Sequence, residues 1–364
     1  MINKNISEVI HRININREID SDLLSKAFYN ILQLEDQSIR DVLLGTFLTG
    51  LMVRKPNIEE IKTLLNCSFL IDGFTRADTE MHTTGKFVIE YMGSGKKGIK
   101  TINISTPSAI VAAASGATIL KKGSYATSSV NGSADFMSLI GAKPLSSVSE
   151  INRALKVIDF AFVNIQNFIP RFDLLYTGKF FAPHVLSFGL PAIITPVKGD
   201  FVLYGLSHPD ITLSANVLRE FGIKEGMVVS STNDGIHYLD EMGIYGSTQT
   251  IQIKKGEVCS IQNFNPNSEL MLSAYTSQDI AERKIVSENI SCAVRALKGS
   301  GKGAHMAIIC LNAAKMLCLS GIVQSMKEGY HVARKSIENG SAFRKIEAYI
   351  EFTGGNLNKL KEYL

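Results

Sequence analysis

The chain has 364 residues, 45% of them hydrophobic and 20% charged, with a net charge of +4. That is the composition of an ordinary globular protein with room for roughly two domains, and the charge excess is too small and dispersed to argue by itself for nucleic acid. No run approaches the roughly 18 apolar residues of a membrane span, and the opening MINKNISEVIHRININREID lacks an apolar h-region, so neither a span nor a signal peptide is expected. The cysteines (Cys67, Cys259, Cys292, Cys310, Cys318) are odd in number and contain no C-x-x-C, which fits a reducing cytoplasm.

From Asp20 the chain reads as helices. Leu23, Leu24, Ala27, Ile31 and Leu34 recur at helical spacing behind the caps Asp20 and Ser21. Asp36 and Ser38 start a second helix with Ile39, Val42, Leu43, Thr46, Phe47 and Leu51 predicted inward. Pro56 then breaks the chain, and Asn57 caps a third helix carrying Ile58, Ile61, Leu64 and Leu65. Residues 1–77 therefore read as a helical domain. It presents apolar residues on more faces than one neighbour should cover, which predicts a homodimer.

From Val88 onward β-branched runs alternate with helical patterns, the signature of βαβ units and a mostly parallel sheet over residues 78–364. The candidate strands are Val88–Met92, Ala117–Leu120, Ala192–Thr195, Phe201–Gly205, Met227–Ser231 and Thr250–Ile253. A helix is predicted over Ser149–Ile158, followed by a stretch to Leu190 with little regular period. Beyond Ser277 the pattern is helical, with Ile280–Ala296, Ala304–Leu319, Ser325–Asn339 and Ala342–Tyr349 as candidates.

The stretch from Gly93 to Asp135 carries the chemistry. After the first strand the chain turns on Gly93, Gly95 and Gly98, then places Thr101, Asn103, Ser105 and Thr106 ahead of the apolar run Ala109 to Ala114. Unpaired backbone N–H groups at such a turn, and at the helix N-terminus behind it, favour an anion. A second small-residue loop, KKGSYATSSVNGSAD, follows the next strand. Both loops then open on one edge of a parallel sheet, where ligands bind. The registers fit neither a dinucleotide fingerprint nor a Walker loop. The lysines Lys96, Lys97 and Lys100 read either as solvated cations or as phosphate contacts. Farther on, the adjacent acids Asp240 and Glu241 follow the strand Met227–Ser231. Such a pair is either solvated or holds a cation between its carboxylates, and oxygen ligands of this kind suit Mg²⁺.

These residues resemble the anthranilate phosphoribosyltransferase family, whose pattern is G-T-G-G-D, T-x-N-x-S-T, then K-H-G-N-R-x-x-S-S-x-x-G-S-x-D. The chain has Gly93-Ser94-Gly95-Lys96-Lys97, Thr101-Ile102-Asn103-Ile104-Ser105-Thr106, Lys121-Lys122-Gly123-Ser124-Tyr125, Ser128-Ser129 and Gly132-Ser133-Ala134-Asp135, without a gap in register. The resemblance implies an α/β fold of the nucleoside phosphorylase/phosphoribosyltransferase type, an N-terminal helical domain that dimerises, and helices near residues 147–190 that return to it. It implies that phosphoribosyl pyrophosphate binds on Gly93, Ser94, Gly95, Lys96, Lys97, Thr101, Asn103, Ser105, Thr106, Lys121, Gly123, Ser128 and Ser129. Mg²⁺ would be held by Ser105, Asp240 and Glu241, so that donor binding depends on the metal. The reaction needs no enzyme nucleophile: pyrophosphate leaves C1 of an oxocarbenium-like ribose and a placed acceptor attacks.

The departures from the family fall mainly on the acceptor side. The acceptor set implied by the alignment is Gly93, Lys122, Ser124, Tyr125 and Lys179, with Lys122 in place of a histidine and Lys179 in place of the arginine that grips the anthranilate carboxylate. A family histidine is replaced by Ile169. Lysine lacks the bidentate geometry of arginine. An aromatic or heteroaromatic acceptor with an anionic or strongly accepting edge is expected, rather than anthranilate. On the donor side Lys97 replaces the family's aspartate. Three alternatives stand beside this reading: a diverged anthranilate enzyme using Lys179 as a monodentate grip, a non-catalytic paralogue binding nucleic acid in a lysine-lined groove, and a nucleoside phosphorylase. The last would carry a further C-terminal α/β domain.

Overall fold

The computed structural model describes residues 4–126, 129–272 and 275–364, so Ser128 lies outside the described residues. Four helices open the chain: α1 (Lys4–Asn14), α2 (Ser21–Leu32), α3 (Gln37–Arg54) and α4 (Ile58–Leu70). Three of the expected caps form. Asp20 accepts from the Leu23 N–H, Asp36 from Ser38 and Ile39, and Asn57 builds a capping box with Glu60. The charged and polar opening residues, which carry no expected element, form α1 and bury Ile6, Val9 and Ile13. On α3 the inward set is Leu43, Leu44, Phe47, Leu48 and Leu51. Ile39 and Val42, predicted inward, are 45% and 69% exposed instead.

The strands are β1 (Val88–Gly93), β2 (Thr118–Gly123), β3 (Phe160–Asn164), β4 (Phe201–Gly205), β5 (Gly226–Thr232), β6 (Tyr238–Leu239), β7 (Ser247–Lys254), β8 (Glu257–Val258) and β9 (Gln262–Phe264). Their order is β3-β2-β1-β4-β5-β7-β8, with β6 on β5 and β9 on β7. The first five are parallel, and β7 returns antiparallel along β5. This is the mixed α/β architecture expected, a mostly parallel central sheet behind a helical N-terminal region.

Two sequence expectations fail here, each for a physical reason. Ala192–Thr195 forms no strand: residues Leu190–Ile193 make a helical turn, with Pro191 fixing its start. The carbonyls of Ala192, Ile193 and Ile194 accept from the buried cations Arg76 and Lys122, not from a ladder. Conversely, β3 lies in the stretch read as having little period. All five of its residues are buried, so FAFVN shows no polar alternation.

Alternation along the strands sends side chains into two cores. On β4, Phe201 and Leu203 join the helices that follow the sheet in sequence, whereas Val202 and Tyr204 join a cluster containing α1 to α4. Ile165, Ile169, Phe172, Tyr176 and the segment around Val185–Ile194 enter that second cluster as well, so the chain near 165–194 returns to the helical region. The helix Val148–Ile158, expected to return with it, instead packs Ile151, Ala154 and Leu155 into the first cluster, because its apolar face meets the sheet and a C-terminal helix. The C-terminal ends of β1 and β2 then open between the two cores.

Candidate active site

One cleft collects the two loops, the acid pair and the returning segment. Its walls include Gly93 to Lys97, Lys100 to Ser105, Lys121 to Tyr125, Ser129, Asn131 to Ser133, Ile165, Gln166, Ile169, Asp173, Tyr176, Thr177 and Asp240-Glu241. Of the described donor residues expected there, only Thr106 is not on the wall. It lies one residue inside the helix α5 (Ser105–Ala114), and its hydroxyl is buried without a hydrogen-bond partner. No side chain caps α5, so its first-turn N–H groups have no side-chain partner, as an anion site at a helix N-terminus requires.

The glycine turn does less than its sequence promised. The N–H of Ser94 donates to Gly205 O at 2.8 Å, that of Gly95 to Asp240 Oδ2 at 2.8 Å, and that of Gly98 to Tyr238 O at 3.1 Å. These three donors are engaged by protein and are not open to phosphate. The glycines serve close approach instead. A Cβ on Gly93 would lie 2.3 Å from Asp240 Oδ2, and one on Gly205 would lie 1.7 Å from the Asp240 carbonyl oxygen. The acid segment therefore packs directly on the ends of β1 and β4. Asn312 holds its far side, accepting from the Met242 N–H at 2.9 Å and donating to Met242 O at 3.0 Å.

Within this packing the acid pair is neither solvated nor open. Asp240 and Glu241 are each 3% exposed, and the Lys97 ammonium lies 2.8 Å from Glu241 Oε1 and 3.3 Å from Asp240 Oδ1. Burial works against the charge on Lys97, but Glu241 and Asp240 outweigh it and hold the ammonium well above its ordinary value. One cation cannot neutralise two buried carboxylates. Burial and the Asp240 charge consequently push Glu241 up to about 8.

The two lysines of β2 diverge because adjacent strand residues face opposite sides. Lys121 is 1% exposed, stands 5.3 Å over the Tyr91 ring and borders the cleft. Burial lowers its ammonium to about 7, against the raising influence of Glu241 and Asp240. Lys122 is fully buried, and its ammonium donates to Glu90 Oε2 at 2.8 Å, Ala192 O at 2.9 Å and Ile194 O at 2.7 Å. All three of its donors are engaged, so Lys122 braces the sheet and does not reach for an acceptor. Lys179 is also displaced from its expected role. It pairs with Asp41 of α3 and is not on the cleft wall.

The second loop is fastened to the first. Asn131 donates to Asn103, and Asn103 donates to Gly132 O at 3.4 Å. Asp135 accepts from the N–H groups of Ala126 and Gly132, at 2.8 and 2.7 Å. Ser124 and Tyr125 stand at the mouth, where the Tyr125 N–H donates to Gln166 Oε1 at 2.8 Å.

Against Lys96 of the first loop stands a wall that the sequence did not announce. Lys96, 7% exposed and at φ +56°, donates to the Tyr176 hydroxyl at 2.8 Å, and that hydroxyl lies 2.8 Å from His184 Nε2. Burial, with repulsion from Lys100, lowers Lys96 to about 8; burial and Lys96 hold His184 well below its ordinary value. Asp173 accepts from Gln166 and Thr177 on the same wall. Nothing in FDLLYTGKFFAPH marks these residues, because their roles depend on the returning segment meeting the glycine turn. Among the described residues no arginine lines the cleft.

Known proteins resemble this chain in sequence and in fold. A family model described as "Glycosyl transferase family, a/b domain" matches residues 85–343. The chain is 30% identical over 278 residues to an anthranilate phosphoribosyltransferase of Shewanella baltica strain OS185, covering 73% of each. It is 30% identical over 277 residues to that of Pseudoalteromonas translucida strain TAC 125, covering 75% of this chain and 76% of the relative. Among solved structures, the enzyme from Thermus thermophilus superposes with a TM-score of 0.73 at 21% identity, over 95% of this chain and 99% of that one. The Saccharomyces cerevisiae enzyme in complex with PRPP and Mg gives 0.74 at 20% identity, over 97% and 99%. At that identity the structures speak for the fold alone.

Proposed function

From the premise that this chain belongs to the anthranilate phosphoribosyltransferase family and is a phosphoribosyltransferase, we propose that it moves the 5-phosphoribosyl group of phosphoribosyl pyrophosphate to an aromatic or heteroaromatic acceptor other than anthranilate. The observation that carries the donor half is the uncapped N-terminus of α5 meeting Lys121, Asn103 and Ser105 in one cleft. The C1–O bond to pyrophosphate breaks, charge grows on the leaving group, and the α5 N–H groups and the Lys121 ammonium stabilise it. The acceptor attacks C1 from the opposite wall. Because no nucleophile of the chain is involved, positioning supplies much of the rate.

Mg²⁺ accompanies the donor in the yeast neighbour. In this chain the expected ligands Asp240 and Glu241 are already bound to Lys97, and the pair as built does not fit a divalent ion. Any Mg²⁺ would then ride on the donor's own phosphates, with Ser105 as the chain's oxygen beside it.

The acceptor half rests on the absence of arginine from the cleft wall among the described residues. Lys96, expected as a donor contact, is held instead by Tyr176 of the returning segment, which makes it the proposed cation of the acceptor wall, with the carboxylate Asp173 in the same cleft. A lysine meets an anionic edge as a point charge, without the fork that clamps a carboxylate. Phenolates, hydroxylated benzoates and heteroaromatic acids suit that wall. Pyrophosphate release with a panel of such acceptors is expected to exceed release with anthranilate. Turnover with anthranilate matching every other acceptor would refute the proposal, and turnover with none would refute transfer itself. The nucleic-acid alternative loses its support, because Lys96 and Lys97 are engaged inside the cleft and do not line an open groove.

We further propose that residues 1–77 form the helical domain and that the protein is a homodimer through α3. Ile39, Val42 and Val53 there are 45%, 69% and 81% exposed. Light scattering should give a dimer mass, shifted toward monomer in Val42→Lys; a monomer mass for the wild type at micromolar concentration would refute the dimer. As for location, no helix among the described residues is long and apolar enough to cross a membrane.

A further inference from the structure

The acid pair is occupied by a cation that belongs to the chain. The Lys97 ammonium donates to Thr101 Oγ1 at 3.2 Å and to Glu241 Oε1 at 2.8 Å, and forms an ion pair with Asp240 Oδ1 at 3.3 Å. We propose that Lys97 is the resident cation of Asp240 and Glu241, so that the pair takes up no divalent metal while Lys97 is in place. The inference rests on the donor-site reading above, in which the pair borders the pyrophosphate.

Three features of the geometry lead there. First, Mg²⁺ sits about 2.0–2.1 Å from its oxygens, which puts an ion shared by the two carboxylates into the space the lysine nitrogen fills. Two cations a few ångströms apart in a buried site repel strongly. Second, the oxygens left over make a poor alternative. Asp240 Oδ2 accepts the Gly95 N–H at 2.8 Å, Asp240 Oδ1 has no hydrogen-bond partner but faces the Lys97 ammonium at 3.3 Å, and Glu241 Oε2 is buried without a hydrogen-bond partner. Among the described residues no group of three or more His, Cys, Asp and Glu side chains is placed to hold a metal ion. Third, Lys97 is itself confined. Its side chain is 19% exposed, and its ammonium is also held by Thr101 Oγ1. A tethered ammonium is present at every metal concentration and does not leave with product. Any metal dependence of the donor site then reduces to the Mg²⁺ that free pyrophosphate groups carry.

The test uses Mn²⁺ alone, followed by the paramagnetic signal of the free ion, on the full chain without donor. Wild type and Glu241→Gln are expected to take up Mn²⁺ equally weakly. Lys97→Ala is expected to bind one Mn²⁺ on the order of tenfold tighter or more, because its acids are left unpaired. That gain should vanish in Lys97→Ala/Glu241→Gln. Wild-type Mn²⁺ binding that is lost in Glu241→Gln overturns the inference, and this comparison stands even where Lys97→Ala fails to fold. No gain in a folded Lys97→Ala also overturns it. Calorimetry with phosphoribosyl pyrophosphate forms a separate arm. Absence of donor binding with and without Mg²⁺ overturns the proposed function, while the Mn²⁺ comparison alone decides the role of Lys97.

Discussion

Replacing Glu90 by alanine is expected to destabilise the fold by about 3–5 kcal/mol, the range for removing one partner of a buried ion pair. Glu90 is fully buried at the centre of β1. Its Oε1 accepts from Arg76 Nη2 at 2.7 Å and from the Gly199 N–H at 3.0 Å, and its Oε2 accepts from Lys122 at 2.8 Å. Deleting the carboxylate leaves two buried cations facing one another. Urea denaturation of Glu90→Ala against wild type measures the loss, and a change within about 0.5 kcal/mol, as at an ordinary surface site, would contradict it. The same group sets an acid limit. Burial pushes its carboxyl upward, but Arg76 and Lys122 outweigh burial and hold it at about 2, below the usual 4.5. A depressed folded value means stabilisation that is complete above the unfolded value and is lost as pH falls from there through about 2. Glu90→Gln should flatten that acid limb while lowering stability at neutral pH.

Lys121→Met is expected to weaken donor binding by about 1.5–3 kcal/mol, the range for a hydrogen bond to a charged group, or roughly ten- to a hundredfold in Kd. The fold should tolerate the change better than the loss of Lys122, because methionine fills similar space and no buried carboxylate loses a direct partner. The pH dependence separates a phosphate contact from a packing role. In the free protein, burial lowers Lys121 to about 7, with Glu241 and Asp240 acting the other way. A bound phosphate raises that value, so donor binding takes up a proton when the free lysine is neutral. Affinity in wild type should be level below pH 7 and decline above it, and Lys121→Met should lose that slope. Calorimetry in buffers of different ionisation enthalpy reads the proton directly. An identical slope in both proteins would remove Lys121 from the donor site.

The sequence by itself determined most of the element types and the sheet edge on which the two small-residue loops gather. Asp20, Asp36 and Asn57 cap helices because their side chains bond backbone N–H groups two or three residues ahead, an interaction complete within one turn. Phe201–Gly205 is a strand from end to end, and the small-residue loops after β1 and β2 do open together, since parallel strands bring their C-terminal ends to one edge. What only the tertiary structure decided is which atoms meet across long sequence separations. It stood the Lys121 ammonium over Tyr91 and gave the Lys122 ammonium to Glu90, although both residues line the cleft. It turned Ala192–Thr195 from an expected strand into carbonyl acceptors for Arg76 and Lys122. It also carried Tyr176 and His184 to Lys96, and Lys97 into the acid pair. Local pattern records backbone preference and burial, which act within a few residues. A buried charge finds its partner wherever the fold places one, because leaving it unpaired costs more than any local preference supplies.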